Sequence, residues 1–380
     1  MPKLQIKSFS TFLSLVISLS AVHADESKEA SANPAQTEGI QDSKLAKPKW
    51  LTTTATMDSG FQMWFLPTIS FILPGFGQYI DMQLEYGLGY SALGLAGLSL
   101  VSSADEKSID ISDLDSRDPA LRRIFLGDSL FKIAGGLSSY HSFRLGAASR
   151  QAIGEYQFLA NAKAESPLDL LISPFRFDHL AKSTTWIPLL TLAALVTTNG
   201  EHWNHVQFGD WAFSTGVSVG AGVGEEAVFR GFIMPYAQQY MQPFWAANLT
   251  QATLFGAAHF SSDNKAPWPQ LLMGLYFGWV TKKNDWQISE SIFIHTWWDV
   301  IAIASEYANT GRVDTWRLPT LDSGSTLIEG APCSSSHNSA SRSAGSTSSG
   351  SRSAATSAEK KRAGCGGHSA RPRSLCAVVA

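Results

Sequence analysis

The chain has 380 residues and a formal net charge of -3, with 44% hydrophobic and only 16% charged residues. An average soluble domain carries about 25% charged residues, so charge is scarce, and the slightly acidic balance excludes a protein that wraps nucleic acid on electrostatics alone. The three cysteines, Cys333, Cys365 and Cys376, all lie near the C-terminal end, which excludes a disulfide scaffold, a cysteine nucleophile and a Cys-ligated zinc from the body.

Residues 1–24 read as a secretory signal peptide. Lys3 and Lys7 make a basic start, Phe12 to Leu19 is a short apolar run, and Val22-His23-Ala24 offers a small-residue cleavage site. Residues 25–49 are polar and mixed in charge, with no hydrophobic period, and are expected to be a flexible linker. Residues 50–185 form an N-terminal group of membrane and interfacial helices. Within it, 61–82 and 86–103 are nearly uncharged and long enough to span or almost span a bilayer. Gly87, Gly94 and Gly97 favour close helix approach. Pro74-Gly75-Phe76-Gly77 predicts a kink in the first span.

A loop over 104–123 is rich in Asp (Asp105, Asp110, Asp113, Asp115, Asp118). It lacks the central Gly and terminal Glu of a calcium loop, so a solvated linker is the expectation. Residues 124–148 are apolar but hold Asp128, Lys132 and Arg144, which suits an interfacial or partly buried helix better than a lipid-facing one.

The second apolar cluster, residues 186–305, falls into blocks near 186–199, 209–223, 225–242, 244–260, 268–281 and 288–305 with short connections. Trp211, Trp245, Trp268, Trp279 and Trp286 sit at block edges, as an aromatic belt would place them. Lys282 and Lys283 point their loop to the cytoplasm. The fold class predicted is all-α: a multi-pass integral membrane helical bundle of roughly six to eight spans. Residues 320–380 end the chain in a Ser/Ala/Gly-rich tail, basic in its last part and expected to be disordered.

Ionisable groups inside apolar blocks need a chemical reason. Glu225 and Glu226 stand side by side with Arg230 as their one local cation, although an ionised side chain at mid-bilayer costs at least about 2.5–3.5 kcal/mol. On a helix Glu226 and Arg230 share a face, while Glu225 points about 100° away and is free for other work. Phe255 and His259 close one later block, and His295 and Asp299 lie four apart on one face of another. A carboxylate can act as general base toward water. One histidine can share or orient the proton, and a second with its neighbour can stabilise an oxyanion or hold a metal. That equips a hydrolase that attacks a carbonyl without a covalent intermediate. The zinc-protease signature His-Glu-x-x-His is absent from the sequence.

The order Glu-Glu-x-x-x-Arg (Glu225, Glu226, Arg230), Phe-x-x-x-His (Phe255, His259) and His-x-x-x-Asp (His295, Asp299) resembles the three motifs of the CPBP intramembrane proteases. That family includes CAAX prenyl endopeptidases and bacterial bacteriocin-processing or immunity proteins, and the resemblance covers residues 186–305. It implies that Glu225 with His259 activates the attacking water, that Glu226 and Arg230 hold the site, and that His295 and its partner stabilise the oxyanion. Here the partner is Asp299 where members with a defined oxyanion role carry Asn. A carboxylate donates a hydrogen bond only when protonated, which points Asp299 toward orienting His295 or helping to bind a metal.

The family has been described both as metalloproteases, with a divalent ion such as zinc, and as metal-independent glutamate proteases. The metal candidates would be Glu225, His259, His295 and Asp299. The expected substrate is a peptide or membrane protein, the expected surroundings a lipid bilayer in a cell membrane (a bacterial inner membrane), with no nucleic acid. Two rival readings are a non-catalytic membrane scaffold or immunity factor, and an ion or proton carrier. His202 and His205 beside a polar loop read as a solvated turn, His141 and His179 are isolated, and Gln251 is a further candidate facing the same cavity.

Overall fold

The glycines of residues 208–224 decide how the bundle is built. The computed structural model describes residues 48–52, 59–104, 116–154, 158–159, 162–197, 203–241, 243–260 and 265–310, all within one compact unit. Its helices are α1 (Ser59–Ile72), α2 (Phe76–Ile80), α3 (Leu84–Ser102), α4 (Pro119–Ala152), α5 (Pro167–Ile172), α6 (Ser183–Thr197), α7 (Phe208–Val228), α8 (Met234–Tyr240), α9 (Phe244–Ala258), α10 (Trp268–Lys283) and α11 (Ser289–Thr310). A π turn, Phe229–Ile233, joins α7 to α8. No strand occurs among the described residues, in agreement with the all-α expectation.

Helix α4 is the axis of the fold and packs against α1, α3 and α7. Asp118 caps its start by accepting from the backbone N–H groups of Ala120 (2.6 Å) and Leu121, and Pro119 takes the first position, where its missing N–H is harmless. Residues 133–148 are buried on every side, so this segment is more deeply interior than the interfacial or partly buried helix its charges suggested. Arg144 and His141 are both buried in it. The His141 ring is held by Tyr90 Oη at 3.1 Å and the Trp50 carbonyl at 2.6 Å.

Gly216, Gly220 and Gly224 lie four residues apart on α7 and form the seam against α4. A Cβ on Gly220 would come 2.7 Å from Ser129 Cα, and one on Gly224 would come 2.7 Å from the Lys132 carbonyl oxygen. Such backbone-to-backbone contact exists only because no side chain intervenes. The opposite face of α7 meets α11 in the same manner: a Cβ on Gly222 would lie 3.1 Å from the Ile292 carbonyl oxygen. Helix α7 is therefore clamped between α4 and α11, and its lower end is pinned by charge. Buried Asp210 receives Arg117 Nη2 at 2.7 Å and Arg122 Nη2 at 2.5 Å.

Two local expectations are corrected. The Pro74–Gly77 stretch breaks the first apolar block instead of kinking it. Helix α1 stops at Ile72, and Gly75 takes φ 97°, the left-handed region that suits glycine. Its N–H then donates to Ser138 Oγ at 2.8 Å on α4. The blocks at 209–223 and 225–242 are one continuous helical run from 208 to 240, because Gly224-Glu225-Glu226 sits in mid-helix.

Among the described residues no helix is long and apolar enough to cross a membrane. The apolar residues are interrupted by small and polar ones that face inward. On α3, Gly87, Tyr90, Gly94 and Gly97 are buried while Leu84, Leu88, Leu95 and Leu98 are exposed. The signal segment, nearly all of the linker, most of the Asp-rich loop, His202 and the C-terminal tail lie outside the described residues.

The seam predicts a sharp contrast between two glycine substitutions. Gly220→Val should overpack the α4–α7 contact and destabilise by about 1–3 kcal/mol, read as a lower thermal unfolding midpoint of the detergent-purified chain. Gly89→Ala, where a Cβ meets nothing within 4 Å, should leave the midpoint unchanged or raised. Equal midpoints for the two variants would contradict the seam.

Candidate active site

Helix α7 carries both glutamates through its last turn, one step past the Gly224 contact. Glu226 has 0% side-chain exposure, and Glu225 keeps 15%. The 100° step between neighbours on a helix separates their environments.

Glu226 is fully paired on one oxygen. Its Oε1 accepts from Arg230 Nη1 at 2.8 Å and faces His295 Nδ1 at 2.9 Å. The Arg230 link is the i,i+4 pair that the sequence predicts. The His295 link joins α7 to α11 and was not foreseen. Arg230 sits in the π turn, a local widening of the helix often found at functional sites. Its guanidinium lies over the Phe255 ring at 4.3 Å and over the Phe277 ring at 5.2 Å. These rings shield the cation from solvent while offering it their electron-rich faces.

His259 follows the last turn of α9. Its Nδ1 lies 2.6 Å from the Phe255 carbonyl oxygen. Only a protonated nitrogen can bond a carbonyl, so Nδ1 donates and Nε2 faces Glu225 Oε2, 3.7 Å away. The Phe255 ring packs against both histidines, at 4.4 Å from His259 and 6.0 Å from His295. Phe277 stacks on His295 at 5.3 Å and 24°. Asp299, one turn along α11, puts Oδ2 3.5 Å from His295 Nε2. Both nitrogens of His295 thus face carboxylates.

The structure brings together Glu225, Glu226, Arg230, His259, His295 and Asp299, the six ionisable residues of the motifs. It places the lower-ranked candidates elsewhere. Gln251 spends its amide on Asn248 Oδ1 (2.7 Å) and the Gly274 carbonyl (2.8 Å), tying α9 to α10. His205 offers its backbone carbonyl to Arg117, and His179 is buried against Phe293. Two neighbours escaped the motif reading, Phe277 and Lys132. Phe277 gave no signal beyond its place on an apolar helix. Lys132 Nζ lies 3.9 Å from Glu225 Oε1, and the spacing of four among Gly216, Gly220 and Gly224 was the available clue to a close partner helix.

Among the described residues no group of three or more His, Cys, Asp or Glu side chains is arranged to hold a metal ion. Of the four metal candidates, His295 turns both nitrogens to Glu226 and Asp299, while His259 donates from Nδ1 to a carbonyl and keeps Nε2 toward Glu225, the orientation a ligating histidine also takes.

Arg230→Ala should leave Glu226 with His295 as its remaining partner. Removing one member of a buried ion pair costs about 3–5 kcal/mol, and the retained His295 contact places the loss at the lower end. Arg230→Lys should recover only part of it, because an ammonium does not lie flat between two rings. Thermal unfolding of the three proteins in one detergent checks the order wild type, Lys, Ala.

No curated protein and no solved structure matches the chain. One family model does match, over residues 207–301, about a quarter of the length. That interval begins at the cap of α7 and ends within α11, two residues past Asp299, and so holds all seven motif residues. The segment that carries the site matches the family described as Type II CAAX prenyl endopeptidase Rce1-like, a CPBP/CAAX protease family, in agreement with the motif resemblance.

Proposed function

We propose that the protein is a membrane-embedded endopeptidase that hydrolyses a peptide bond with a water activated by Glu225 and His259. The observation that carries this reading is the 3.7 Å gap between Glu225 Oε2 and His259 Nε2. It is too long for a direct hydrogen bond, yet both groups converge on one point where a single water can bridge them. Glu225 Oε2 is buried and has no hydrogen-bond partner, so its lone pairs are available to that water. A protease family model over the same segment supports the reaction class.

In this mechanism Glu225 takes a proton from the water as the oxygen attacks the substrate carbonyl carbon. His259, fixed at Nδ1 by the Phe255 carbonyl, holds the water in line. The carbonyl π electrons move to oxygen, and stabilising that charge through His295 requires its Nε2 side to turn from Asp299 to the oxyanion. Glu226 holds His295 at Nδ1, and Asp299 orients its Nε2 side from one turn away. The proton on Glu225 passes to the leaving nitrogen, the C–N bond breaks, and the carboxylate is restored. Each role is a binding or proton-transfer role for this chain's own side chains.

The interior mixes apolar clusters with buried polar side chains, and large apolar residues also face outward, a pattern that lipid surroundings favour. Polar groups such as Ser138, Ser139, Ser142 and Gln78 are fully buried, while leucines of α3 and Trp186, Ile187 and Leu190 of α6 face outward. In water such outward apolar faces invite association; in a bilayer they are the solvated surface and small residues fill the interior. The protein should accordingly stay with membranes after alkaline carbonate washing, and release into the wash would contradict the membrane setting.

The chemical test uses the purified chain in detergent micelles with a mixed-sequence library of internally quenched peptides, with and without a prenylated C-terminal cysteine. Wild type should cleave a subset. Glu225→Gln should cleave none of them while unfolding at the wild-type temperature. Cleavage by Glu225→Gln at the wild-type rate would remove Glu225 as the base. Activity that survives a chelator supports the route through Glu225 and His259 alone, whereas loss that zinc restores assigns the water to a metal.

A further inference from the structure

We infer that Lys132 is a positioning residue for this cleavage: its ammonium holds Glu225 Oε1, so that Oε2 is presented to His259. The inference rests on the proposed role of Glu225 and extends the site beyond the segment that matches the protease family, since Lys132 belongs to α4 and residues 207–301 do not include it.

Glu225 has two ion-pair neighbours among the described residues, His259 on Oε2 at 3.7 Å and Lys132 on Oε1 at 3.9 Å. The adjacent carboxylate, Glu226, uses Arg230 and His295. Both Glu225 contacts are charge contacts beyond hydrogen-bond distance, and without Lys132 the carboxylate would be aimed by the histidine with which it must share a water and by nothing on its other oxygen. A glutamate side chain has three rotatable bonds, and a catalytic base must stand within hydrogen-bond reach of its proton. A cation on the far oxygen restricts those bonds and leaves the near oxygen open.

The lysine is placed by backbone, not by chance extension of a long side chain. Its own carbonyl lies where a Gly224 Cβ would be, at 2.7 Å. One turn on, a Cβ at Gly136 would come 2.7 Å from Gly224 Cα. Helices α4 and α7 are thus in register at the residue immediately before Glu225. Lys132 keeps 26% and Glu225 15% of its side chain exposed, and charges about 4 Å apart in such partly covered places interact about four times more strongly than in water.

The competing explanation for Lys132 is an ordinary i,i+4 pair with Asp128, whose Oδ2 lies 3.3 Å from Nζ. Asp128 is at the exposed margin, with 36% of its side chain accessible, and such pairs contribute little. Asp128 therefore reads as the anchor at the outer end of the lysine, with Glu225 at the inner end. The two explanations separate cleanly by mutation.

The experiment measures kcat and KM separately on the library peptide that wild type cleaves fastest, for wild type, Lys132→Met, Lys132→Gln, Lys132→Arg, Asp128→Asn and Glu225→Gln. Misplacing a catalytic group by a fraction of its reach costs about tenfold to a hundredfold in rate. Lys132→Met and Lys132→Gln should lose kcat by that factor with KM nearly unchanged. Lys132→Arg should return to within about threefold of wild type, since a cation again reaches Oε1. Asp128→Asn should keep about half of kcat or more, its pair being near the surface.

Lys132→Gln keeps the inference testable should the Met variant fail to fold, and unfolding midpoints identify that case. Full kcat in either neutral variant, no rescue by Arg, or an equal loss in Asp128→Asn would overturn the positioning role. An active Glu225→Gln, or a wild type that cleaves no peptide, would instead overturn the reading beneath it. A dead Glu225→Gln beside a fully active Lys132→Gln would leave that reading standing and remove Lys132 alone.

Discussion

A carboxylate with no access to solvent governs the architecture around it. Glu226 has 0% side-chain exposure, and a buried ion is tolerated only when its charge is met at close range, here through Oε1. Arg230 meets it from the π turn of the same helical run, and His295 meets it from α11. Arg230 in turn needs a cover that does not compete for its charge, which Phe255 of α9 and Phe277 of α10 provide with their ring faces. Two side chains thus meet one oxygen atom, and two further helices cover the cation that meets it. His295, Phe277 and Phe255 then share a packed aromatic layer, and His259 extends it to Glu225. Because Glu226 absorbs the cation and one imidazole, Glu225 on the adjacent helix face is left without a hydrogen-bonded structural partner.

Convergence of this kind depends on backbones that come close. A side chain at Gly220, Gly222 or Gly224 would push α4 or α11 away from α7, and the close contacts between charged groups on different helices would be lost with it. Apolar side chains flank the seam, with Leu121 and Phe125 of α4 against Phe213 of α7 and Ile133 and Leu137 near Val223 and Ala227, whereas the opposite side of α4 is joined through small polar side chains. Ser70, Gln78, Ser138 and Ser142 form such a network between α1, α2 and α4. Small residues and interhelical hydrogen bonds of this kind let helices approach closely.

The all-α class and the clustering of the six ionisable residues were legible for one reason. In a sequence so poor in charge, ionisable groups inside apolar blocks stand out, and the four-residue spacing of Glu226 and Arg230 already implies their pairing. The Glu226–His295 contact joins residues 69 apart in sequence, and nothing local announces it. Asp299 at i+4 was the nearer suggestion for the histidine's partner, and it does face the other ring nitrogen. Lys132 was obscured by Asp128, which makes it look like half of a surface pair. The break at Gly75 turned on a φ of 97°, a value that Pro-Gly permits without requiring. The continuity of 208–240 was hidden because a glycine followed by two acids resembles a helix boundary when read without its partners.

The boundary of the family match has a physical consequence. Residues 207–301 contain every group that would touch a substrate bond in the proposed reaction, yet the helix that sets the depth of Glu225 is α4, which lies before that interval. Helix α4 is itself buried over 133–148 and is held by α1 and α3 on its other faces. A shift of α4 by one residue would move Lys132 by about 1.5 Å along the helix axis and set a side chain against Gly224. The register between these helices is therefore a single discrete arrangement. On this reading the N-terminal helices, which carry no motif, act on the chemistry through rigidity: they fix α4, α4 fixes Lys132, and Lys132 fixes the oxygen that the water does not use.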